Sequence, residues 1–247
     1  STLKSYLLNA DEIPTALYIT SPDYLGNISD IKGLSQVCKE FSMLLLVDNA
    51  HGAYLNFLDE HLHPSALGAD MCCDSAHKTL PVLTGGGYLH ISKTAPSVIL
   101  SNAENAMSLF ASTSPSYLIL QSLDFANRYI ADGYKEKLNK FCMATKKIKE
   151  KLADGGYTLS GDEPLKLTIK TKPYGYSGSE IARILEQNNI IPEFYDSDFI
   201  VFMLTVEISE NELEKLLTSL LAIEKKAPVT TPMPVFSKPQ RAMSIRE

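Results

Sequence analysis

The chain has 247 residues, 45% of them hydrophobic, and a formal net charge of −6. That length and composition can bury a core in one large or two smaller domains, and an acidic balance with no basic stretch beyond residues 146–151 argues against a nucleic-acid partner. No apolar run approaches the ~20 residues that span a bilayer, no signal-peptide pattern opens the chain, and Cys38, Cys72, Cys73 and Cys142 show no CxxC spacing, which together predict a soluble protein of the reducing cytoplasm.

ALYIT (residues 16–20) predicts a buried strand, followed by a loop punctuated by Pro22, Gly26 and Asn27. Asp30 is placed to cap a helix in which Ile31, Leu34, Val37, Cys38 and Phe41 recur at near-helical spacing. MLLLVD (residues 43–48) and ADMCCD (residues 69–74) are apolar runs ending in an acid and read as two further strands. GGGYLHIS (residues 85–92) predicts another strand, its glycines permitting a turn or close backbone approach. This strand, helix, strand alternation predicts an α/β fold with a mostly parallel sheet.

Helical spacing dominates residues 95–151, with a break at 112–117 around Pro115. Beyond residues 154–157, LKLTIK, SGSEIARILEQNN, FIVFML and ISENELEKLLTSLLAIE predict a small α+β domain, and the last stretch holds four prolines and reads as an extended tail. The expected divisions are a sheet-bearing part at 1–112, connecting helices at 113–153, the small domain at 154–227 and the proline-rich tail at 228–247.

Ligands of open α/β sheets collect beyond the carboxyl ends of the strands, where Asp48 and residues 74–78 are expected. A lysine there is costly to desolvate, and a use in chemistry is one explanation for its placement. Lys78 and Asp48 suit pyridoxal phosphate: the lysine bonds the cofactor, and the acid keeps the pyridine nitrogen protonated. Ser75 and His77 could bind the phosphate, and small Ala50 would let the ring lie against the backbone. Spacing alone does not decide this, since many α/β proteins end strands in Asp with a lysine nearby. The triple glycine is not a nucleotide fingerprint, and His61 and His63 in HLHP lack a third ligand at fitting spacing, so a solvated loop and no metal are expected. Cys72 and Cys73 are expected to be buried small hydrophobes, and residues 146–151 a solvated helix face. Glu193 either meets a substrate's distal amine or is a surface loop acid.

The blocks ALYITSPDYLGNISDI, LLVDNAHGAYL and GADMCCDSAHKTLPVLTGGGYLHI resemble consecutive blocks of the Orn/Lys/Arg decarboxylase family, pyridoxal-phosphate enzymes of the aspartate-aminotransferase-like fold type I. STSPSYLILQSLDFA and PMPVF resemble later segments of the same family, so the resemblance runs over roughly the whole chain. It implies Lys78 as the cofactor-bonded and catalytic lysine, Asp48 as partner of the pyridinium nitrogen, and Ser75 and His77 near the phosphate and lysine. It also implies Ala50 and a catalytic His51 against ring and substrate, and a homodimer or higher homo-oligomer in which Thr113 or Ser114 reaches the neighbouring subunit's site. Asn49 departs from the family, which more usually has an acid or a serine there.

By the same resemblance, residues 1–112 correspond to the C-terminal part of the cofactor-binding large domain, and the phosphate-cupping loop and ring-stacking aromatic belong to a preceding segment. The chain is therefore expected to be the C-terminal portion of a longer enzyme and, isolated, inactive as a decarboxylase and prone to self-association. The function expected of the whole is decarboxylation of arginine, lysine or ornithine. Its rivals are another fold-type I reaction, as in an aminotransferase or desulfurase, and a non-catalytic paralogue serving dimerisation or regulation.

Overall fold

The computed structural model describes residues 2–230 together with Gln240 and Met243. The PMPVF segment lies outside the described residues. In chain order the elements are α1 (Thr2–Leu7), β1 (Ala16–Thr20), α2 (Ile31–Glu40), β2 (Leu44–Asp48), α3 (Pro64–Leu67), β3 (Met71–Asp74), α4 (Ala76–Thr79) and β4 (Tyr88–Ile91). Helices α5 (Ser97–Phe110), α6 (Tyr117–Ala131) and α7 (Tyr134–Asp154) follow, then β5 (Thr158–Ser160), β6 (Lys166–Lys170), α8 (Gly178–Glu186), β7 (Phe194–Tyr195), β8 (Phe199–Met203) and α9 (Glu210–Leu221).

The first sheet has the order β1-β2-β3-β4, with β1, β2 and β3 parallel and β4 antiparallel to β3. Alternation along the strands sorts their side chains. Leu45, Val47 and Cys72 point to one face and form a core with Ile31 and Cys38 of α2. Tyr18, Asp48 and Cys73 share the other face, in register Thr20↔Asp48 and Asp48↔Cys73. Asp30 starts α2 as expected, its carboxylate accepting from Gly33 N at 2.9 Å.

The second sheet, β5-β6-β8-β7, is antiparallel throughout. Its central strand KLTIK buries four consecutive residues, because α7 and α9 pack against the same core that closes over β6 and β8. Helices α8 and α9 begin in capping boxes, Ser177 with Glu180 and Ser209 with Glu212. Buried Leu138, Phe141, Ile148 and Leu152 give α7 its inward stripe. On that helix Lys149 departs from the expected solvated face: it is half-buried and its ammonium donates to Glu163 O at 2.7 Å. Among the described residues no helix is long and apolar enough to cross a membrane.

The main core also takes in Tyr54, Ala76 and Leu80, so the turn after β3 is anchored to the same apolar mass as α7 and β6. The closest backbone approach in this region is at Gly178, where an added Cβ would lie 2.1 Å from Phe199 O. Gly178→Ala is therefore expected to push α8 off β8 and to cost about 1–3 kcal/mol of stability. Thermal unfolding measures it, and an unchanged melting temperature would show that the helix start can shift freely.

Candidate active site

Strands β2 and β3 end side by side at Asp48 and Asp74, and each is followed by a tight connection at the carboxyl edge of the sheet. Asp48 is half-buried; its Oδ1 accepts from Ala50 N at 3.1 Å and its Oδ2 from the Tyr18 hydroxyl at 3.3 Å. Burial and then the charge of Asp48 push the Tyr18 phenol up, which keeps it a donor. The Cys73 thiol lies 3.8 Å from the same carboxylate.

After β3 the chain turns at once into α4, with Lys78 N bonded to Ser75 O and Leu80 N to Ala76 O. Ala76 is fully buried and Leu80 nearly so, which fixes the turn and leaves Lys78 half-buried between them. Its Nζ is 3.3 Å from His51 Nε2. Burial, then the charges of Lys166 and Lys78, lower the His51 pKa to about 4, so the imidazole is neutral and Nε2 accepts from the lysine. The ring proton then sits on Nδ1, a buried donor with no partner among the described residues.

His77 donates from Nδ1 to Gly86 O at 2.9 Å, while its backbone N bonds the same carbonyl at 3.2 Å. Ser75 begins α4 without spending its hydroxyl on a cap bond. Ala50 presents only a methyl group beside Asp48. Thr113 and Ser114 are exposed in the α5–α6 connection, and among the described residues no hydrogen bond joins them to Lys78, His51 or Asp48.

Tyr24, in the loop after β1, meets His51 edge-on with ring centroids 5.3 Å apart. Its hydroxyl donates to Glu193 Oε1 at 3.1 Å, so Glu193 is an exposed loop acid, as one of its two readings had it, joined through Tyr24 to His51. Buried Lys166 of β6 holds this loop from below, donating to Asp23 O at 3.3 Å, pairing with Glu163 at 3.1 Å and lying 5.7 Å from the Tyr24 ring centre. Tyr18, Tyr24 and Lys166 were not legible as site residues. Tyr18 alone left a signal, since strand alternation in ALYIT puts it on one face with Thr20.

Two expectations are corrected. Cys73 is exposed, because the fourfold run MCCD alternates and only Cys72 faces the α2 core. His63 is buried rather than solvated: its Nε2 lies 3.1 Å from Asp74 Oδ2, on which His90 Nε2 also converges at 2.8 Å. Ligand atoms of His63, Cys72 and Asp74 fall within 4.8 Å of one another. Ser65 N, however, donates to His63 Nδ1 at 3.3 Å, which places the ring proton on Nε2 for Asp74. Burial pushes the Cys72 thiol up to about 12, and the group reads as a hydrogen-bonded cluster.

The mostly parallel α/β sheet followed by a small α+β unit is the fold of the fold-type I pyridoxal-phosphate enzymes. The lysine decarboxylase LdcF of Francisella novicida superposes on it with a TM-score of 0.70 at 19% identity, over 89% of this chain and 38% of that one. The chain belongs to the Orn/Lys/Arg decarboxylase family, whose major-domain model matches residues 3–159. Among relatives, the uncharacterised protein YaaO of Bacillus subtilis is 34% identical over 199 residues, 76% of this chain and 41% of its own. The arginine decarboxylase of the same organism is 28% identical over 241 residues, 91% of this chain and 49% of its own. The chain thus spans about half the length of these relatives. Pyridoxal 5'-phosphate is the cofactor of the family, and the cluster fits it: an amine held by a neutral imidazole, an acid open on the sheet face, an unspent serine hydroxyl and an orphaned buried imidazole N–H.

Proposed function

We propose that this chain carries the lysine-bearing half of a pyridoxal-phosphate-dependent decarboxylase acting on a basic amino acid, arginine, lysine or ornithine. The observation that carries the reading is Lys78 Nζ against a neutral, buried His51 at the end of β3, beside Asp48 at the end of β2. Pyridoxal phosphate, when bound, supplies the electron sink for the pair left behind as the α-carboxylate departs as CO₂. Lys78 would hold the cofactor and afterwards deliver a proton to the substrate's α-carbon. His51 accepts from Lys78 and so orients its amine, while its free Nδ1–H is available to an oxygen of cofactor or substrate. Asp48 would hold the proton of the pyridine nitrogen, Ala50 would back the ring, Ser75 would donate to the phosphate, and His77, its Nδ1–H committed to Gly86 O, would stand beside phosphate and lysine.

The basic side chain is assigned to Glu193. Its carboxylate stands at the rim, steadied by Tyr24, and a distal ammonium or guanidinium replaces lost water there with a charge-assisted hydrogen bond. Arginine and lysine decarboxylases among the relatives and structural neighbours support that class. Assembly as a homo-oligomer is supported by exposed apolar side chains flanking Thr113 and Ser114: Phe110 is 89% and Tyr117 88% exposed. Glu193→Gln is expected to raise KM for the basic substrate by ~10–100-fold, since a hydrogen bond to a charged group contributes about 1.5–3 kcal/mol, with kcat changed far less. Steady-state kinetics test it; an unchanged KM would remove Glu193 from the substrate.

A further inference from the structure

The side chains proposed for the chemistry sit on two separate connections, residues 48–51 after β2 and 75–78 after β3, and the backbone ladder between those strands stops where they begin. Its last bond runs from Asn49 N to Cys73 O at 2.9 Å. Beyond it, besides the Lys78–His51 contact of the proposed site itself, a fully buried side-chain bond ties the ends of the two strands together: Asn49, completely buried, donates from Nδ2 to Asp74 Oδ1 at 2.7 Å. Asp74 immediately precedes Ser75, and Asn49 lies between Asp48 and Ala50. On its second oxygen Asp74 accepts from His63 and from His90. One buried carboxylate therefore joins the connection after β2, the loop before α3, the end of β3 and strand β4.

The surroundings make this junction stiff. Burial alone would push the Asp74 carboxyl up, but the hydrogen bonds it accepts from His63, His90 and the Asn49 amide outweigh it and hold the group well below the usual carboxylate range. At neutral pH it is an anion, an acceptor for all three donors. Gly87 lets β4 close on it, since a Cβ there would lie 2.8 Å from Asp74 O. Asp74 is buried, and its carboxylate is taken up by these three donors.

We propose that Asp74 is a positioning residue: through Asn49 it sets the separation and orientation of Asp48 and His51 relative to Lys78. The inference rests on the proposed cofactor site. A misplacement of about 1 Å in a reacting geometry can lower turnover ~100-fold, and this contact governs that displacement.

Exchanging the two groups tests it in the full-length, cofactor-loaded protein. Asn49→Asp sets two carboxylates against each other, Asp74→Asn removes the anion, and the double variant restores an amide–carboxylate pair with reversed polarity. Three quantities are read well below the melting temperature: kcat for CO₂ release, the dissociation constant of pyridoxal phosphate, and the pH midpoint of the bound cofactor's visible absorbance. Each single variant is expected to lose ~10–100-fold in kcat and to shift the absorbance midpoint. The double variant should recover to within about threefold, giving a strong coupling in the cycle. Should Asn49→Asp not fold, Asn49→Ala, which leaves Asp74 with both histidines, is read in its place and should show the same losses.

Single variants that melt earlier but keep wild-type kcat and absorbance midpoint would overturn the proposal, as would a double variant no better than the singles. A wild type that binds the cofactor without releasing CO₂ sinks the decarboxylase reading alone, because the coupling is still read from the absorbance. A wild type that takes up no pyridoxal phosphate sinks both.

Discussion

Lys78→Ala should abolish covalent attachment of pyridoxal phosphate and lower decarboxylation by at least ~10²–10⁴-fold, the range over which a positioned proton-transfer group acts. The size follows from the double duty assigned to one amine, which holds the cofactor and returns a proton. No neighbour can take over. His51, the group in contact with it, is neutral and lies on the accepting side of their hydrogen bond. Lys166 is buried in an ion pair with Glu163 and committed to Asp23 O. Lys78→Arg should be as inactive, because the guanidinium stays protonated and is no nucleophile. Borohydride reduction of the loaded wild type followed by peptide mapping checks the assignment: the label belongs on the peptide containing Lys78, and a label elsewhere would refute it.

Asp48→Asn should keep the covalent attachment and still lose ~10²–10³-fold in turnover, as expected when one preorganised electrostatic partner is removed. The amide matches the carboxylate in size and can still meet Ala50 N and the Tyr18 hydroxyl, so the fold of the β2 end is retained. It loses the negative charge that keeps the ring nitrogen protonated. The expected pattern is separable from unfolding: visible cofactor absorbance persists, the melting temperature moves little and kcat collapses. Turnover within a few-fold of wild type would remove Asp48 from that role.

The secondary structure was largely legible because apolar periodicity reports burial directly. MLLLVD and MCCD became β2 and β3, the Asp30 cap and the break at Pro115 fell where turn chemistry puts them, and SGSEIARILEQNN and ISENELEKLLTSLLAIE hold α8 and α9. The placing of Asp48 and Lys78 at the carboxyl ends of neighbouring strands was legible for the same reason, since one ends β2 and the other follows β3. What escaped depended on contacts distant in sequence. Tyr24 and Glu193 are 169 positions apart, and no local pattern links them. His63 resembled a loop histidine because HLHP is polar and carries a proline, but Asp74 draws its ring inward. Cys73 was misplaced by treating a doubled cysteine as one buried unit, although successive strand residues must face opposite sides. The hub at Asp74 was invisible because an acid at a strand end looks the same whether it faces water or two histidines and an amide.

Fold-type I sites with this lysine and acid also serve transamination and sulfur removal, and constellation alone does not separate these outcomes. The most direct test is product analysis for the full-length protein loaded with pyridoxal phosphate and given arginine, lysine or ornithine labelled at the α-carboxylate. One of these substrates is predicted to release labelled CO₂ and an equal amount of the corresponding amine, with no keto acid, and Lys78→Ala should release none. Keto acid in place of CO₂, or cofactor uptake with no turnover of any of the three, would contradict the account.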